Sequence, residues 1–232
     1  MEKITINVIN RLRTKVSLNI LIIAAHPDDE VLGMGGTIKK LAKMKNKIHL
    51  CIVTEGASAQ YEDKKMIKVR KEACLKAGKL LGISYFSFLE FPDAKLDTIS
   101  QLEINKKLEK IISKFKPTIV YTTPNNDLMV DHQRVYECTL VATRPNSSTV
   151  KQLFCYEIPG IVKKPFQPTF YEDIKNEISF KIKALKIYES EIEKFPHPRS
   201  IEIIESVSKL RGMESGLERA EGFEVVRYIA SR

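Results

Sequence analysis

Hydrophobic residues fall into short apolar runs that alternate with longer segments in which they recur at helical spacing. The apolar runs predict β-strands at 19–25, 48–54, 85–89, 118–122 and 151–157. The segments of helical spacing predict helices at 31–46, 65–81, 99–115 and 132–142. This alternation is typical of repeated βαβ units. The pattern therefore predicts an α/β fold, a Rossmann-like sandwich with a mostly parallel central sheet and helices on both faces.

The pattern changes in the last third of the chain. A stretch that contains several prolines, from Pro159 to Pro168, leads to helical spacing at 174–194 and 200–212, and a last apolar run predicts a strand at 223–229. No internal repeat and no linker rich in Gly or Ser marks a boundary between domains. These elements predict a small C-terminal subregion attached to the Rossmann-like core.

The length and composition fit this organisation. The chain has 232 residues, of which 43% are hydrophobic and 29% charged, close to the average for a soluble globular domain. We predict a single domain over 1–232, in which a core (1–157) carries a subregion (158–232) that completes the functional site. The longest apolar run, Leu18 to Ala25, is far shorter than the roughly 20 residues that a membrane span needs.

Basic residues before the first strand, among them Arg11 and Arg13, superficially resemble a signal peptide. Acidic residues follow the apolar run where a cleavage site of small residues would lie, so we predict a cytoplasmic protein. The four cysteines are scattered without CxxC spacing and lie in apolar segments. They predict buried free thiols rather than disulfides or a zinc knuckle.

The formal net charge of +9 has three explanations: binding of nucleic acid, attraction of an anionic substrate, or a generally lysine-rich composition. The lysines are spread along predicted helix faces, as at 39–47 and 64–71, with no aromatic residues interleaved, so solvated faces explain them best. We therefore expect no nucleic-acid partner, whereas an anionic small-molecule substrate stays open.

A cluster of ligand-type side chains directly follows the first predicted strand. His26, Asp28 and Asp29 lie in the sequence AHPDDE, where Pro27 disfavours helix and lets the side chains spread in a tight turn. Catalytic zinc takes three protein ligands, so one histidine and one aspartate here leave one ligand missing. The alternative is that the aspartates cap the following helix. One carboxylate would suffice for a cap, and consecutive acidic residues repel one another without a cation, which favours a functional site.

The missing ligand is expected at the end of another strand, and the chain has only four histidines. His49 lies inside the second predicted strand, where a core or surface role is more usual. His132 follows the polar loop after the fourth strand and begins a predicted helix, which places it at the same edge of the sheet as His26. We therefore predict that His132 is the third ligand.

The sequence AHPDDEVLGMGG and the later pair Asp131 and His132 resemble the LmbE/PIG-L family of zinc-dependent N-acetyl-sugar deacetylases. Shorter similarities at TEGA, RKEA, PHPRS and AEGFEV extend the resemblance over nearly the whole chain. The resemblance implies that His26, Asp29 and His132 bind the metal, with zinc as the expected ion and ferrous iron as the alternative. It also implies that Asp28 is the general base that deprotonates a metal-activated water.

The chain departs from the family at the second motif. Many members carry HPDH, whose first histidine is thought to stabilise the oxyanion, whereas this chain has Met129 at that position. We expect His197, in the proline-flanked sequence PHPRS, to supply this donor, and the alternative is an ordinary exposed loop histidine. Asp131 is expected to orient a ligand or to cap a helix, and Asp127 to contact substrate or to form a turn.

Two arginines are candidates for substrate binding. The resemblance suggests that Arg70 contacts a sugar or phosphate, although a solvated helix face explains this residue nearly as well. Arg199 suits an anionic group, because its proline-bounded loop is preordered and a guanidinium matches a carboxylate or phosphate with two hydrogen bonds.

Together these features predict metal-dependent N-deacetylation of an N-acetylated sugar, sugar nucleotide or glycoconjugate precursor. The alternatives are amide hydrolysis on a non-sugar or N-formyl substrate, and a catalytically silent sugar- or nucleotide-binding protein of the same fold. A complete ligand set beside a general base argues against a binding protein. The sequence leaves open the acceptor sugar and whether the protein is a homo-oligomer.

Overall fold

The computed structural model describes residues 17–59, 65–160 and 162–230, and the strands in these ranges form one seven-stranded sheet. In chain order the strands are β1 (Asn19–Ala24), β2 (Lys47–Thr54), β3 (Tyr85–Phe91), β4 (Ile119–Thr122), β5 (Gln152–Tyr156), β6 (Phe170–Asp173) and β7 (Ala220–Tyr228). The helices are α1 (Asp29–Lys43), α2 (Lys65–Leu81), α3 (Gln101–Phe115), α4 (Val130–Ala142), α5 (Ile178–Leu185) and α6 (Ile201–Ser215). The strands and helices predicted for the core are confirmed, with ends that shift by a few residues.

The strand order in the sheet is β3-β2-β1-β4-β5-β7-β6. The first five strands of the chain run parallel to one another, and β7 runs antiparallel to both β5 and β6. The chain adds β2 and β3 on one side of β1 and then returns to add β4 on the other. Such a reversal leaves a crevice at the carboxyl ends of β1 and β4, where ligands bind in open α/β sheets. The predicted Rossmann-like fold with a mostly parallel sheet is confirmed.

Strand β1 is buried on both faces, as its apolar sequence predicts. Ile20 and Ile22 pack on one face, in a cluster with residues of α1, α2 and α5. Leu21 and Ile23 pack on the other face, with residues of α3 and α4. Because successive side chains of a strand point to opposite faces, an unbroken apolar run fits a sheet with helices on both faces.

The C-terminal subregion joins the same sheet through β7, which pairs with β5. The helix predicted at 174–194 is wrong in length, because α5 ends at Leu185 and the turn that follows brings Tyr188 into contact with Glu30. Strand β6 is absent from the predicted elements, since its short sequence follows a proline-bearing stretch and pairs with β7 at the edge of the sheet. The prediction of one domain over 1–232 includes residues outside the described ranges and stays a prediction.

The four cysteines, Cys51, Cys74, Cys138 and Cys155, are buried and free, which confirms the prediction of buried free thiols. Burial raises the pKa of the Cys51 thiol to about 12, so this thiol stays protonated and unreactive at neutral pH. None of the helices among the described residues is both long and apolar enough to cross a membrane.

Helix α1 is interrupted at Met34, whose backbone angles of φ −144° and ψ 25° are not helical. Beyond the interruption, the amides of Gly36 and Thr37 donate to the carboxylate of Glu221 on β7, over 3.0 and 2.7 Å. Lys181 donates to the same carboxylate over 2.6 Å, and both side chains are buried. Glu221 thus caps the second half of α1 and links it to the C-terminal subregion.

We expect Glu221→Ala to destabilise the protein by about 3–5 kcal/mol, because it leaves the buried ammonium group of Lys181 without its carboxylate. Urea unfolding, monitored by circular dichroism, measures how far the free energy of unfolding falls in the variant. Glu172→Ala is the matched control, since it removes a partly exposed ion pair with Lys40 and should cost about 1 kcal/mol or less. Equal unfolding midpoints for the two variants would show that the buried pair adds no stability.

Candidate active site

The expected site residues meet at the carboxyl ends of β1 and β4, where the strand order reverses. His26 and Asp29 follow β1, and His132 lies in the first turn of α4, after β4. All three residues are buried, with exposed fractions of 4%, 1% and 2%. A polar cluster at this depth needs partners or a bound ion, because isolated buried charges are costly.

The ligand-type atoms of these three residues, the metal triad, surround one small volume. Nδ1 of His26 lies 3.2 Å from Nε2 of His132. The carboxylate of Asp29 lies 3.5 Å from the first of these nitrogens and 3.4 Å from the second. Two nitrogens that each lie about 2.05 Å from one tetrahedral ion are roughly 3.3 Å apart. The observed spacings therefore fit a single metal ion.

Carboxylates behind the two imidazole rings determine which ring nitrogen carries the proton. Nδ1 of His132 donates to Asp127 over 2.6 Å, and Nε2 of His26 donates to Asp131 over 3.1 Å. In the neutral form of both rings, with the protons held there, the lone pairs of the two facing nitrogens would meet across 3.2 Å. Lone pairs this close repel one another unless a cation lies between them. Carboxylates that orient histidine ligands in this way are typical of zinc sites.

The surrounding carboxylates favour positive charge at this position. Burial by itself lowers the pKa of His132, but Asp29 and Asp127 raise it to about 9. Burial also lowers the pKa of His26, and hydrogen bonds with Asp131 and Asp29 leave it well above its usual range. Burial raises the pKa of Asp29, whereas the two imidazoles bring it well below its usual range. A field that retains protons on the imidazoles also favours a divalent cation in their place.

Several hydrogen bonds hold Asp131 in place behind the ring of His26. Besides its contact with His26, its carboxylate accepts from the backbone amides of Ala94 and Leu96 over 2.8 and 3.0 Å. The expected role as an orienting residue fits these contacts. The alternative role as a helix cap does not fit, because Asp131 lies inside the first turn of α4 and its oxygens face the segment of Ala94 and Leu96.

Asp127 holds the second histidine ligand. Its Oδ2 accepts from His132, and its Oδ1 accepts from the amide of Met129 over 2.9 Å. The expected role as a turn former fits, because this contact between residues two positions apart closes the loop. The expected contact with substrate has less support, since both carboxylate oxygens already have partners in the protein.

Asp28 is the N-cap residue of α1, in a strained backbone conformation with φ 122°. Its carboxylate makes no capping hydrogen bond, so the helix-cap alternative is not supported. Oδ2 lies 3.4 Å from Arg70 and 3.8 Å from Arg199, and Oδ1 is buried without a hydrogen-bond partner among the described residues. Burial raises the pKa of Asp28 to about 6, against the lowering effect of the two arginines. A buried carboxylate with an available oxygen next to the metal triad suits a general base.

Two arginines flank this general-base candidate. Arg70 is buried and donates to the carbonyl groups of Pro27 and Gly56, so the alternative of a solvated helix face is wrong. Nη1 of Arg199 donates to Glu191 over 2.7 Å, and the same carboxylate lies 3.3 Å from Nη2 of Arg70. The sequence did not indicate Glu191, because it lies in a segment with ordinary helical spacing.

The PHPRS loop brings Arg199 rather than His197 to the site. The ring of His197 is exposed, and its Nδ1 accepts from the backbone amide of Arg199 over 3.2 Å, within a turn that the amide of Ser200 closes. Among the described residues, this ring contacts neither the metal triad nor Asp28. The expected oxyanion role of His197 therefore has no support from its position, and the alternative of an exposed loop histidine fits better.

Three further residues of the site are buried: Glu30, which belongs to the acidic run after β1 but had no predicted role, and Asp93 and Tyr188, which the sequence did not indicate. Glu30 accepts from the hydroxyl of Tyr188 over 2.6 Å and from the amide of Asp28 over 3.2 Å, which supports the unusual conformation of Asp28. Burial raises the pKa of Glu30 to about 8. Asp93 lies 3.1 Å from Nε2 of His26 and follows the end of β3, so the rule that indicated His132 would also have indicated it.

Sequence similarity to known proteins extends over most of this chain. The model of the GlcNAc-PI de-N-acetylase family, PIG-L, matches residues 21–143, more than half of the chain. The uncharacterized deacetylase YaiS of Escherichia coli (strain K12) is 34% identical over 177 residues, which cover 74% of this chain and 90% of YaiS. The diacetylchitobiose deacetylase of Thermococcus kodakarensis is 25% identical over 223 residues, which cover 89% of this chain and 82% of that protein.

A solved structure shares the fold. N,N'-diacetylchitobiose deacetylase from Pyrococcus horikoshii, complexed with its inhibitor MPG, has a TM-score of 0.74 at 24% identity, and the match covers 90% of this chain and 83% of that one. The range that the family matches contains the metal triad and Asp28. The predicted class of enzyme, a deacetylase that hydrolyses amides, is confirmed. Because the family model matches more than half of this chain, the chain belongs to the GlcNAc-PI de-N-acetylase (PIG-L) family.

Proposed function

We propose that this protein is a metal-dependent N-deacetylase of an N-acetylated sugar. The observation that carries this function is the geometry of His26 and His132, whose ring nitrogens lie 3.2 Å apart beside the carboxylate of Asp29. Such an arrangement suits a divalent cation, and the buried carboxylate of Asp28 lies next to it. Binding of a sugar or nucleotide alone needs no general base, so catalysis is the better explanation.

The metal triad would hold the ion, which when bound acts as a Lewis acid on water and on the amide carbonyl. Two histidines and one carboxylate suit zinc and ferrous iron, and zinc is our first choice. Asp127 and Asp131 keep the two imidazoles in the required orientation and tautomer. The protein therefore needs little rearrangement to receive the ion.

Asp28 accepts a proton from the attacking water and passes it to the nitrogen of the leaving amine. The water oxygen bonds to the amide carbon, the carbon–nitrogen bond breaks, and acetic acid and the amine are released. The second proton of the water leaves with the acid and passes to the more basic amine at neutral pH. Arg70 and Arg199 stabilise the ionised form of Asp28 from 3.4 and 3.8 Å. With 23% of its side chain exposed and five N–H donors on its guanidinium group, Arg199 is our candidate for contact with the substrate.

The relatives support a sugar substrate, since the matched deacetylases from Thermococcus kodakarensis and Pyrococcus horikoshii act, by their names, on diacetylchitobiose. Sugar nucleotides, glycoconjugate precursors, N-formyl compounds and non-sugar amides are the alternatives. We place the protein in the cytoplasm, and its free buried cysteines support a reducing compartment. We expect no nucleic-acid partner.

Amine release from a panel of substrates tests this function. The protein, loaded separately with Zn²⁺ and Fe²⁺, is offered N-acetylglucosamine, diacetylchitobiose, a uridine-diphosphate N-acetyl sugar, and N-formyl and non-sugar amides. We expect at least one N-acetyl sugar to be hydrolysed, with no release by protein from which the metal has been removed. Release from N-formyl or non-sugar amides alone would move the function to the alternative class.

The two loop residues should differ in effect. Arg199→Ala should lower kcat/KM for the best panel substrate by about 10- to 100-fold, because it removes a charged donor next to the general base. His197→Ala should change kcat/KM by about twofold or less, as an exposed substitution usually does. Both variants should keep their metal. A loss of about 100-fold or more in kcat for His197→Ala would instead restore the oxyanion role that the sequence suggested.

A further inference from the structure

Negative charge dominates the surroundings of the metal triad. Six carboxylates, each at most 6% exposed, lie in this cluster: Asp28, Asp29, Asp93, Asp127, Asp131 and Glu191. The cations that the described residues bring to it are Arg70 and Arg199. A divalent ion would add two positive charges and still leave the carboxylates in excess. The surroundings of the triad thus carry excess formal negative charge, although the chain as a whole carries a formal net charge of +9.

Glu191 contacts both arginines at once. Its Oε2 lies 2.7 Å from Nη1 of Arg199 and 3.3 Å from Nη2 of Arg70. Asp28 faces the same two guanidinium groups, so each arginine lies between two carboxylates. Buried pairs of this kind are costly to break, because separation leaves an uncompensated charge in a medium of low dielectric constant. Arg199, with 23% of its side chain exposed, is the most exposed member of the cluster.

We infer that Glu191 determines substrate specificity: it matches the charge of Arg199 within the protein, so that the cleft accepts an N-acetylated ring without charge. A phosphate or carboxylate on that ring would meet the excess carboxylates and would compete with Glu191 for the positive charge of Arg199. The guanidinium hydrogens that remain available suit the hydroxyl oxygens of a neutral sugar. This inference rests on the proposed function, and it opposes the anionic ligand that Arg199 suggests when the sequence is considered alone.

A matched pair of substrates tests the inference on the unchanged, metal-loaded protein. N-acetylglucosamine and its 6-phosphate differ only in the charged group. We expect kcat/KM to be at least about tenfold higher for the neutral sugar, since like charges placed next to each other disfavour binding. Equal or faster hydrolysis of the phosphorylated sugar would overturn the inference. This comparison needs no variant, so it does not depend on the folding of one.

Glu191→Gln then tests the residue itself. The amide has nearly the same size but no charge, so one carboxylate fewer balances the positive charge of Arg199, and the preference for the neutral sugar should fall by about tenfold, chiefly through a lower KM for the phosphorylated sugar. Glu189→Gln is the matched control, because it makes the same change at an exposed position two residues away. This control should leave the ratio of kcat/KM between the neutral and the phosphorylated sugar as it is in the unchanged protein. An unchanged ratio in a folded, metal-containing Glu191→Gln protein would overturn the role of Glu191.

A binding measurement separates failure of this inference from failure of the proposed function. If no sugar in the panel is hydrolysed, the proposed function fails. Calorimetric titration of the metal-loaded protein with the same two sugars still reports on charge preference. Weaker binding of the phosphorylated sugar is the expected result, and equal or tighter binding would overturn the inference.

Discussion

Replacement of His132 by alanine is expected to leave the purified protein without its metal ion and without measurable deacetylase activity. The imidazole supplies one of the three proposed ligands, and its Nε2 lies 3.2 Å from the ligand nitrogen of His26. Loss of a residue that merely orients a ligand typically weakens metal affinity about 10- to 100-fold, so loss of the ligand itself should cost more. Asp29→Ala should behave in the same way. Elemental analysis after dialysis measures the metal content, which should be one ion per chain in the unchanged protein.

His49 provides the matched control. It is partly buried in β2, its Nε2 is hydrogen-bonded with the hydroxyl of Ser87 over 2.9 Å, and it contacts no ligand atom of the triad. His49→Ala should therefore keep its metal, and circular dichroism checks that both variants fold. Full metal content in His132→Ala would show that the metal triad is wrongly assigned. The group formed by His26, Asp93 and Asp131 would then be the next to test.

Asp28→Asn is expected to keep the metal and to lose about 100- to 10,000-fold in kcat, the usual contribution of a general base. The amide has nearly the same size as the carboxylate but cannot accept a proton from water. No ligand atom of the triad changes. Metal content and turnover, measured on the same preparation, therefore separate metal binding from chemistry.

Asp97→Asn is the control for this substitution, because Asp97 is exposed on the short helix at Leu96–Thr98 and should tolerate the same change without loss of activity. Unfolding in urea shows whether Asp28→Asn also affects stability, since Asp28 begins α1 with a positive φ angle. A turnover number for Asp28→Asn close to that of the unchanged protein would limit Asp28 to a structural role.

The sequence was sufficient for the elements of the core because their signals are local. A buried parallel strand needs an unbroken apolar run, as in β1, and a helix on the sheet needs apolar residues at helical spacing, as in α3. The two histidines of the metal triad were predictable for a related reason, whereas Asp29 was chosen over Asp28 through the family resemblance. His26 and His132 each follow a strand, and the carboxyl ends of parallel strands meet at one edge of the sheet.

The contacts around the triad could be determined only from the tertiary structure, because they join segments whose separation along the chain carries no pattern. Glu191 meets Arg70 across more than a hundred residues, and only the turn after α5 makes that contact. The tertiary structure was also needed to show which residue of the PHPRS loop reaches the site. Two candidate donors lie two positions apart there, and the path of the backbone turns Arg199 toward Asp28 and leaves His197 exposed.

By itself, the sequence determined the fold class, the strands and helices of the core, and the candidate ligands, since each depends on periodicity or on residue type at a strand end. The tertiary structure decided the carboxylate partners of the two imidazoles, the burial of Arg70 and the balanced charge cluster around Asp28. The physical reason is that hydrogen bonds and ion pairs depend on distances of a few ångströms between side chains. Those distances are set when the sheet, the helices and the C-terminal subregion pack together.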